Sequence, residues 1–467
     1  MSRASATELH EASWWAFERH PGETLRAALE RNLRDAILSG ALREGVQLPA
    51  SRTLAHELGV SRGVISDAYG QLESQGFLIT RVRAAPVVAA AARASVPPPP
   101  SQPAPRPPRW DLTPTTPDVS LFPLRRWLAV GERVAREATS AMLDYGEPHG
   151  ERVLREALAD HLGRTRGVIA GPGQILVNQG TAHGTDLLLR VLRARGARRV
   201  AVEDPSHTTQ HERIQAMGLT LAPQPTDGHG LVVEGLVADA VLVTPAHQFP
   251  TGSVLSGERR RELLAWARDT GGLIVEDDYD AVFRYDKEPV RALQGLAPDH
   301  VVQLGTVSKT LAPALRLGWL VAPPALIEAL ALQRRLVDDF SPVLEQLTLA
   351  EFLRRGDYDR HVRAARAVYR ARRDRLLTAL AKHVPGLAVA GVAAGMHVVL
   401  RLPDWADDAA ISARAWEARI RVPALSSFCV AQPEQRGLVI GYGRLHESSV
   451  AAAVRALATI LRQFGAA

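Results

Sequence analysis

The chain has 467 residues, 46% of them hydrophobic, and a formal net charge of +6. That length exceeds one hydrophobic core and predicts two or three domains, while no run approaches the roughly 18–20 apolar residues of a membrane span. The first residues lack the basic start and apolar core of a signal peptide. Cys429 is the only cysteine, which excludes an intrachain disulfide and fits a reducing cytoplasm. The positive charge permits a nucleic-acid partner without requiring one.

Leu25, Leu29, Leu33 and Ile37 recur at helical spacing, so Thr24 to Ser39 is predicted as a helix ended by Gly40. Ser51 is expected to cap a short helix through Leu58. Gly59-Val60-Ser61 reads as a turn, and Arg62 to about Gln75 as a helix burying Val64, Ile65, Ala68, Tyr69 and Leu72. Gly76 stops that helix, and Phe77 to Thr80 reads as a strand. Helix, short helix, turn, helix and hairpin is the winged helix-turn-helix order. A helical hairpin serving protein contact is the other reading of the same pattern.

The stretches LPASRTLAHELGVSR and AYGQLESQGFL resemble the GntR family of bacterial regulators, over about Thr24 to Thr80. The resemblance implies double-stranded operator DNA as partner. It places Arg52 at a phosphate or base contact and has Ser61 and Arg62 open the recognition helix, followed by Gly63, Val64 and Ser66. Gly63 stands where most members carry a larger polar residue. In the wing, Arg81-Val82-Arg83 replaces the usual glycine-rich tip, leaving Arg81 and Arg83 to touch phosphates. Ten arginines face ten Asp and Glu between Arg3 and Arg83, so a DNA footprint must come from local placement and not from bulk charge.

VPPPPSQPAPRPP, within residues 89–108, is predicted as an extended linker, either a passive tether or a semi-rigid spacer between DNA-binding heads. The expected division is 1–88, 89–108 and 109–467. Beyond the linker, short Val/Ile/Leu runs alternate with amphipathic helices. Strands are expected at Ile175–Val177, Val200–Val202, Ala240–Val243, Leu273–Val275, Val301–Leu304 and Leu317–Val321. Continuous apolar runs suit strands buried on both faces, hence an α/β fold with a mostly parallel sheet. Arginine-heavy helices between Arg354 and Leu380, a strand at Met396–Leu402 and a helix from Ser448 to Phe464 predict a smaller C-terminal α+β subdomain.

Only three lysines occur: Lys287, Lys309 and Lys382. Lys309 lies between Ser308 and Thr310 just past an apolar strand, where a lysine can lose its proton and capture an aldehyde; capping a loop is the plainer use. Arg316, seven residues on among Leu315, Leu317 and Trp319, is expected in apolar surroundings, where it requires an anion. Asn178-Gln179-Gly180-Thr181-Ala182 ends a strand and opens a helix, whose first N–H groups suit a phosphate. Glu276-Asp277-Asp278-Tyr279-Asp280 sets carboxylates at a strand end, able to pair with a pyridine nitrogen or to bind magnesium.

The Ser308-Lys309 pair with Arg316 downstream resembles the active-site segment of fold type I pyridoxal-phosphate proteins, the aminotransferase superfamily. The resemblance implies pyridoxal 5'-phosphate on Lys309 with its phosphate bound by Arg316, and Thr181, Ala182 and Thr306 among the cofactor-binding residues. It pairs Asp277 with the ring nitrogen and Tyr279 with the phenolic oxygen. His207 stands where an aromatic usually stacks on the ring, and its titration is expected to colour the cofactor's pH response. Tyr145 matches a tyrosine that reaches the adjacent subunit's phosphate, which implies a homodimer. Two departures matter. Phe249 stands before Pro250-Thr251-Gly252 where the enzymes carry asparagine, and Val439 where they carry the arginine that grips an α-carboxylate; Arg444 lies nearby but out of register. His-Gln-aromatic-Pro-Thr-Gly is typical of MocR/GabR regulators. The whole chain resembles that group, which implies ligand-controlled transcription with an effector that is pyridoxal phosphate or an amino compound. A working aminotransferase with an accessory N-terminal domain is the alternative.

Overall fold

The structure is a computed structural model that describes residues 18–81, 84–90, 107–285, 290–391, 393–431 and 435–466. Two compact units divide at 105/106, inside the proline-rich stretch. Most of the expected linker, with Trp14, Trp15 and Arg83, falls outside the described residues.

In the first unit, α1 (Leu25–Leu38) starts where the Thr24 side chain accepts from Ala27 N at 3.2 Å. It buries Ala28, Leu29, Leu33 and Ile37. Then come α2 (Ser51–Glu57), a turn through Gly59 at φ +64°, and α3 (Arg62–Ser74). Ser51 is not the cap it was expected to be: Ala50 holds the extended capping backbone and Ser51 is the first helical residue. Its hydroxyl is instead taken by Arg62, whose Nε donates to Ser51 Oγ at 3.3 Å. Ile65, Ala68, Tyr69 and Leu72 are buried as predicted, whereas Val64 is half-buried. β1 (Leu78–Ile79) pairs antiparallel with β2 (Val87–Val88), closing the winged hairpin over Leu54, Ile65 and Leu72.

The second unit begins with β3 (Trp110–Asp111), α4 (Leu124–Glu137) and α5 (Arg152–Arg166). Strands and helices then alternate: β4 (Ile175–Asn178), α6 (Thr181–Ala194), β5 (Arg199–Asp204), α7 (Thr208–Ala216), β6 (Thr220–Asp227) and β7 (Gly230–Leu231). They continue as β8 (Ala240–Val243), α8 (Gly257–Thr270), β9 (Leu273–Asp277), β10 (Val301–Thr306) and β11 (Gly318–Val321). The sheet order is β4-β11-β10-β9-β8-β5-β6-β7. From β10 to β6 all neighbours are parallel; β11 runs antiparallel to both β10 and β4. β4, β8, β10 and β11 are buried throughout, as a sheet covered on both faces requires. Ile175, Val177 and Val321 pack toward α5, and Leu176, Val302 and Leu320 toward α6.

Two features departed from expectation. β6 went unread because Pro223 and Pro225 interrupt it; Pro223 lies beyond the two-residue β7, where a missing N–H costs no ladder bond. The arginine-heavy stretch forms a single 27-residue helix, because no Gly or Pro interrupts it and Tyr358, Val362, Ala365, Tyr369, Leu376 and Leu380 keep one buried face. The C-terminal region comprises α9 (Pro324–Val337), α10 (Val343–Arg354), that long helix α11 (Asp357–His383), β12 (Val389–Ala390), β13 (His397–Leu402), α12 (Asp408–Glu417), β14 (Ile420–Arg421), β15 (Arg436–Gly441) and α13 (Val450–Gln463). The expected strand at Met396–Leu402 appears as β13, which pairs antiparallel with β12 and β15 in a small sheet, and β14 pairs with β3.

Candidate cofactor site

In open α/β sheets ligands gather at the carboxyl ends of the strands. Here Asn178, Asp204, Asp277 and Thr306 all end strands of the large sheet. The β10–β11 hairpin, in register Thr306↔Gly318, carries both Lys309 and Arg316 over that edge. Thr306 Oγ1 pinches the turn: it donates to Leu317 O at 3.1 Å and accepts from Ser308 N at 3.1 Å. Burial pulls the Lys309 ammonium below its ordinary pKa; Asp280 and Asp277 oppose this, and Arg444 adds to it.

Gly180, at φ +99°, caps α6, and Asn178 Oδ1 accepts its N–H at 2.8 Å. A Cβ there would lie 3.7 Å from Arg316 Nη1 and 3.8 Å from Thr306 Oγ1. The N-terminus of α6, with Thr181 and Ala182, the Thr306 hydroxyl and the Arg316 guanidinium therefore share one cradle, with the donor chemistry of a phosphate site. Arg316 was expected in apolar surroundings. It is exposed, because a left-handed backbone (φ +51°) turns it away from buried Leu317 and Trp319.

Asp277 is buried and pushed up to about 7 by that burial, with Asp278 and Asp280 adding to the effect while Lys309 and Gln210 oppose it. Gln210, on α7, donates to Oδ2 at 3.2 Å; Oδ1 is buried without a partner. A protonated ring nitrogen is the partner such an oxygen lacks. The sequence reading missed Gln210, although it sits one helical turn from His207. The raised pKa has a consequence without cofactor. The folded chain binds this proton more tightly than the unfolded one, so the group's contribution to stability falls as pH rises from about 4 to about 7. Cofactor-free Asp277→Asn, with no charge to bury, should therefore be more stable than the parent at pH 8, by on the order of 1–3 kcal/mol. The two should converge near pH 4. Urea melts at both pH values test this, and equal stabilities throughout would contradict it.

His207 stacks on Phe249 with ring centroids 3.8 Å apart and planes 6° from parallel. Burial, with Lys309 and His211 adding, holds its pKa down at about 3. His207 is thus neutral across the working range, and the expected pH response from it is corrected: a histidine reads as titratable in sequence, but burial removes the charged form. Tyr279 Oη lies 3.3 Å from His247 Nδ1, and that nitrogen is 2.9 Å from Asp280 Oδ2. Asp280, His247 and His397 also belong to the cluster: His397 Nε2 donates to Pro250 O at 3.0 Å, 5.0 Å separating the two imidazole centroids. Asp204 accepts from Val430 N and Ala431 N, both at 2.8 Å, tying the small subdomain to the end of β5. A chamber of about 810 Å³ opens beside His207 and Phe249, between the Thr113–Thr116 loop and α12.

Lys309, Asp277, Tyr279, His207, Thr306, Thr181, Ala182 and Arg316 thus come together in one region. Tyr145 stands apart, 88% exposed and edge-on to Phe340 at 6.1 Å. Arg52, Ser61, Arg62, Ser66 and Arg81 are exposed in the first unit; Ser61 occupies the cap of α3 without its side chain bonding there.

Residues 116–455 match the model of "Aminotransferase class I and II", and residues 25–88 that of "Bacterial regulatory proteins, gntR family". The chain is 33% identical to the HTH-type pyridoxine biosynthesis transcriptional regulator PdxR of Corynebacterium glutamicum, over 93% of this chain and 95% of that protein. It is 30% identical to the probable rhizopine catabolism regulatory protein MocR of Rhizobium meliloti, over 94% of each. Among solved structures, an archaeal alanine:glyoxylate aminotransferase superposes with a TM-score of 0.70 at 25% identity, covering 76% of this chain and 91% of that one. The buried orphan oxygen of Asp277, the desolvated Lys309 amine and the Gly180 cradle fit the cofactor of that fold, pyridoxal phosphate. The chain belongs to the aminotransferase class I and II family and, by its GntR segment and full-length relatives, to the MocR group of pyridoxal-phosphate-dependent, HTH-type transcriptional regulators.

Proposed function

We propose that the protein is a cytoplasmic homodimer in which pyridoxal phosphate, or an amino compound reaching it, alters the affinity of the winged helices for operator DNA. The carrying observation is the pairing of a site equipped to hold the cofactor with Phe249 and Val439, both buried, at positions where turnover needs polar groups. Bound there, pyridoxal phosphate supplies an aldehyde that captures amines and an electron-withdrawing ring.

The chain's own groups do the rest. Lys309 offers a desolvated amine that gives up its proton more readily than a surface lysine. Asp277 would accept from the ring nitrogen, and Gln210 orients that carboxylate. Arg316, Thr306 and the first N–H groups of α6 would hold the phosphate. His207 would cover the ring as a neutral aromatic, and Tyr279, whose hydroxyl donates to His247 O at 3.3 Å beside His247 Nδ1 and Asp280, would offer that hydroxyl to the phenolic oxygen. Phe249 has no group to bond that oxygen, and Val439 none for a carboxylate, so any transamination is expected to be slow. In the first unit Arg52, Ser61, Arg62, Ser66 and Arg81 form the DNA-facing set.

The test is operator binding with and without pyridoxal phosphate and candidate amines, beside a turnover assay on the same sample. Effector-dependent affinity, typically about 1–3 kcal/mol of coupling, supports the reading. Fast turnover without sequence-specific binding would reverse it in favour of an enzyme.

Tyr145 supports the dimer, since an aromatic with a free hydroxyl standing 88% exposed invites a second subunit. Tyr145→Phe should weaken cofactor retention by roughly 1.5–3 kcal/mol, as loss of one charge-assisted bond. Equilibrium dialysis measures this, and a monomer of undiminished cofactor affinity would refute the shared site.

A further inference from the structure

Val439 lies in the middle of β15, opposite Val399, and is fully buried with Val399, Leu425 and the edge of Phe428. Phe428 in turn meets Phe249 edge-on at 5.1 Å. The wall where aminotransferases place their carboxylate clamp is here apolar, and an anionic group pressed against it would lose its hydration without gaining a partner. A cation is nevertheless supplied at the end of the same strand.

Gly441 and Gly443 follow in β15 and just beyond it. A Cβ on Gly441 would stand 2.1 Å from Thr113 O, and one on Gly443 2.1 Å from Thr116 O. Only glycine lets the backbone lie this close against the loop whose Thr113–Thr116 line the chamber. The next residue is Arg444. Its stem is fixed: Arg372, buried and paired with Asp118 Oδ2 at 2.6 Å, donates to the carbonyl of Gly443. Its head is not. Nε reaches Pro117 O only at 3.5 Å, Nη1 lies 3.7 Å from Asp111 Oδ2, and the side chain is 47% exposed. An exposed pair at that distance is weak and easily exchanged. Asp111 keeps its other oxygen on Thr113 N at 3.1 Å, so the loop stays ordered if Arg444 leaves. The positive charge of Arg444 also reaches Lys309, where it adds to burial in disfavouring the ammonium.

We propose that Arg444, in place of a clamp at position 439, receives the anionic group of an amino compound brought to Lys309, exchanging Asp111 for the ligand. This deepens the proposed effector reading and rests on it. Arg444 is then a specificity-determining residue, and the preferred effectors are amines that carry a carboxylate or comparable anion.

The experiment uses the full-length, cofactor-loaded protein and follows the cofactor's absorbance. The probes are straight-chain amino acids with one, two or three methylenes between amine and carboxylate. Each is set against the n-alkylamine in which a methyl replaces the carboxylate. At the best chain length the carboxylate should tighten binding by about tenfold or more, the effect of one charge-assisted contact. Arg444→Ala should bring the ratio to near unity, whatever common shift the loss of its charge near Lys309 gives to both series. Arg444→Lys should restore part of it, since a lysine keeps the charge without the fork of donors. If amines perturb the absorbance but show no carboxylate preference, or a preference that survives Arg444→Ala, the assignment falls and the effector reading stands. If no amine of either series perturbs it, both fall, and pyridoxal phosphate itself remains as the signal.

Discussion

Lys309→Ala is expected to abolish covalent retention of pyridoxal phosphate while leaving the fold intact. In the parent, borohydride should fix the cofactor onto the peptide containing Lys309 and onto neither Lys287 nor Lys382. In the variant no peptide should carry it, and gel filtration should strip the visible absorbance. Stability should not suffer. The amine sits at the open edge of the sheet, where burial already disfavours its charged form, so its removal costs no packed core volume. The hairpin that carries it is held by Thr306 with Leu317 and by Thr310 with Tyr358, none of which the substitution touches. Thermal melts of the cofactor-free proteins should therefore nearly coincide. A modified peptide at Lys382, or collapse of the fold, would remove Lys309 from its role.

Arg62→Ala should weaken operator binding by about 1–3 kcal/mol and lower the salt dependence by about one counterion. Arg62 is the first residue of α3, exposed, with Nε resting on Ser51 Oγ at 3.3 Å. That contact aims the guanidinium from the start of the helix expected to enter the major groove, where an arginine meets guanine or phosphate. It makes no part of the buried face formed by Ile65, Ala68, Tyr69 and Leu72, so the domain should still fold. The cofactor's absorbance should be unchanged, because Arg62 and Lys309 belong to different compact units. Fluorescence anisotropy on operator and scrambled duplexes at two salt concentrations distinguishes the outcomes. Equal affinity of parent and variant for operator would mean that α3 does not read DNA through this residue.

Local composition was enough to identify some parts of this protein. The short apolar runs before Asp277 and Lys309 read as strands of a covered sheet, and Lys309 is the one of three lysines that follows such a run. The 3.6-residue pattern from Leu25 to Leu72 specifies the helices of the DNA-binding unit, because their buried faces are set by spacing alone. Other properties depend on groups distant in sequence. Strand direction is invisible in an apolar run, so the antiparallel β11 that returns Arg316 to the cradle emerged only in the sheet. His207 is a titratable residue in sequence and a neutral ring in the fold, since burial removes its charged form. Asp277 is an ordinary carboxyl until the loss of water, with Asp278 and Asp280 adding to it, raises it to about 7. That Gly441 and Gly443 lie against Thr113 and Thr116, setting Arg444 beside Asp111 and Pro117, likewise emerged only in the fold. Spacing determines which face a residue shares with its near neighbours; desolvation and the fields of distant charges arise only when the chain has closed on itself.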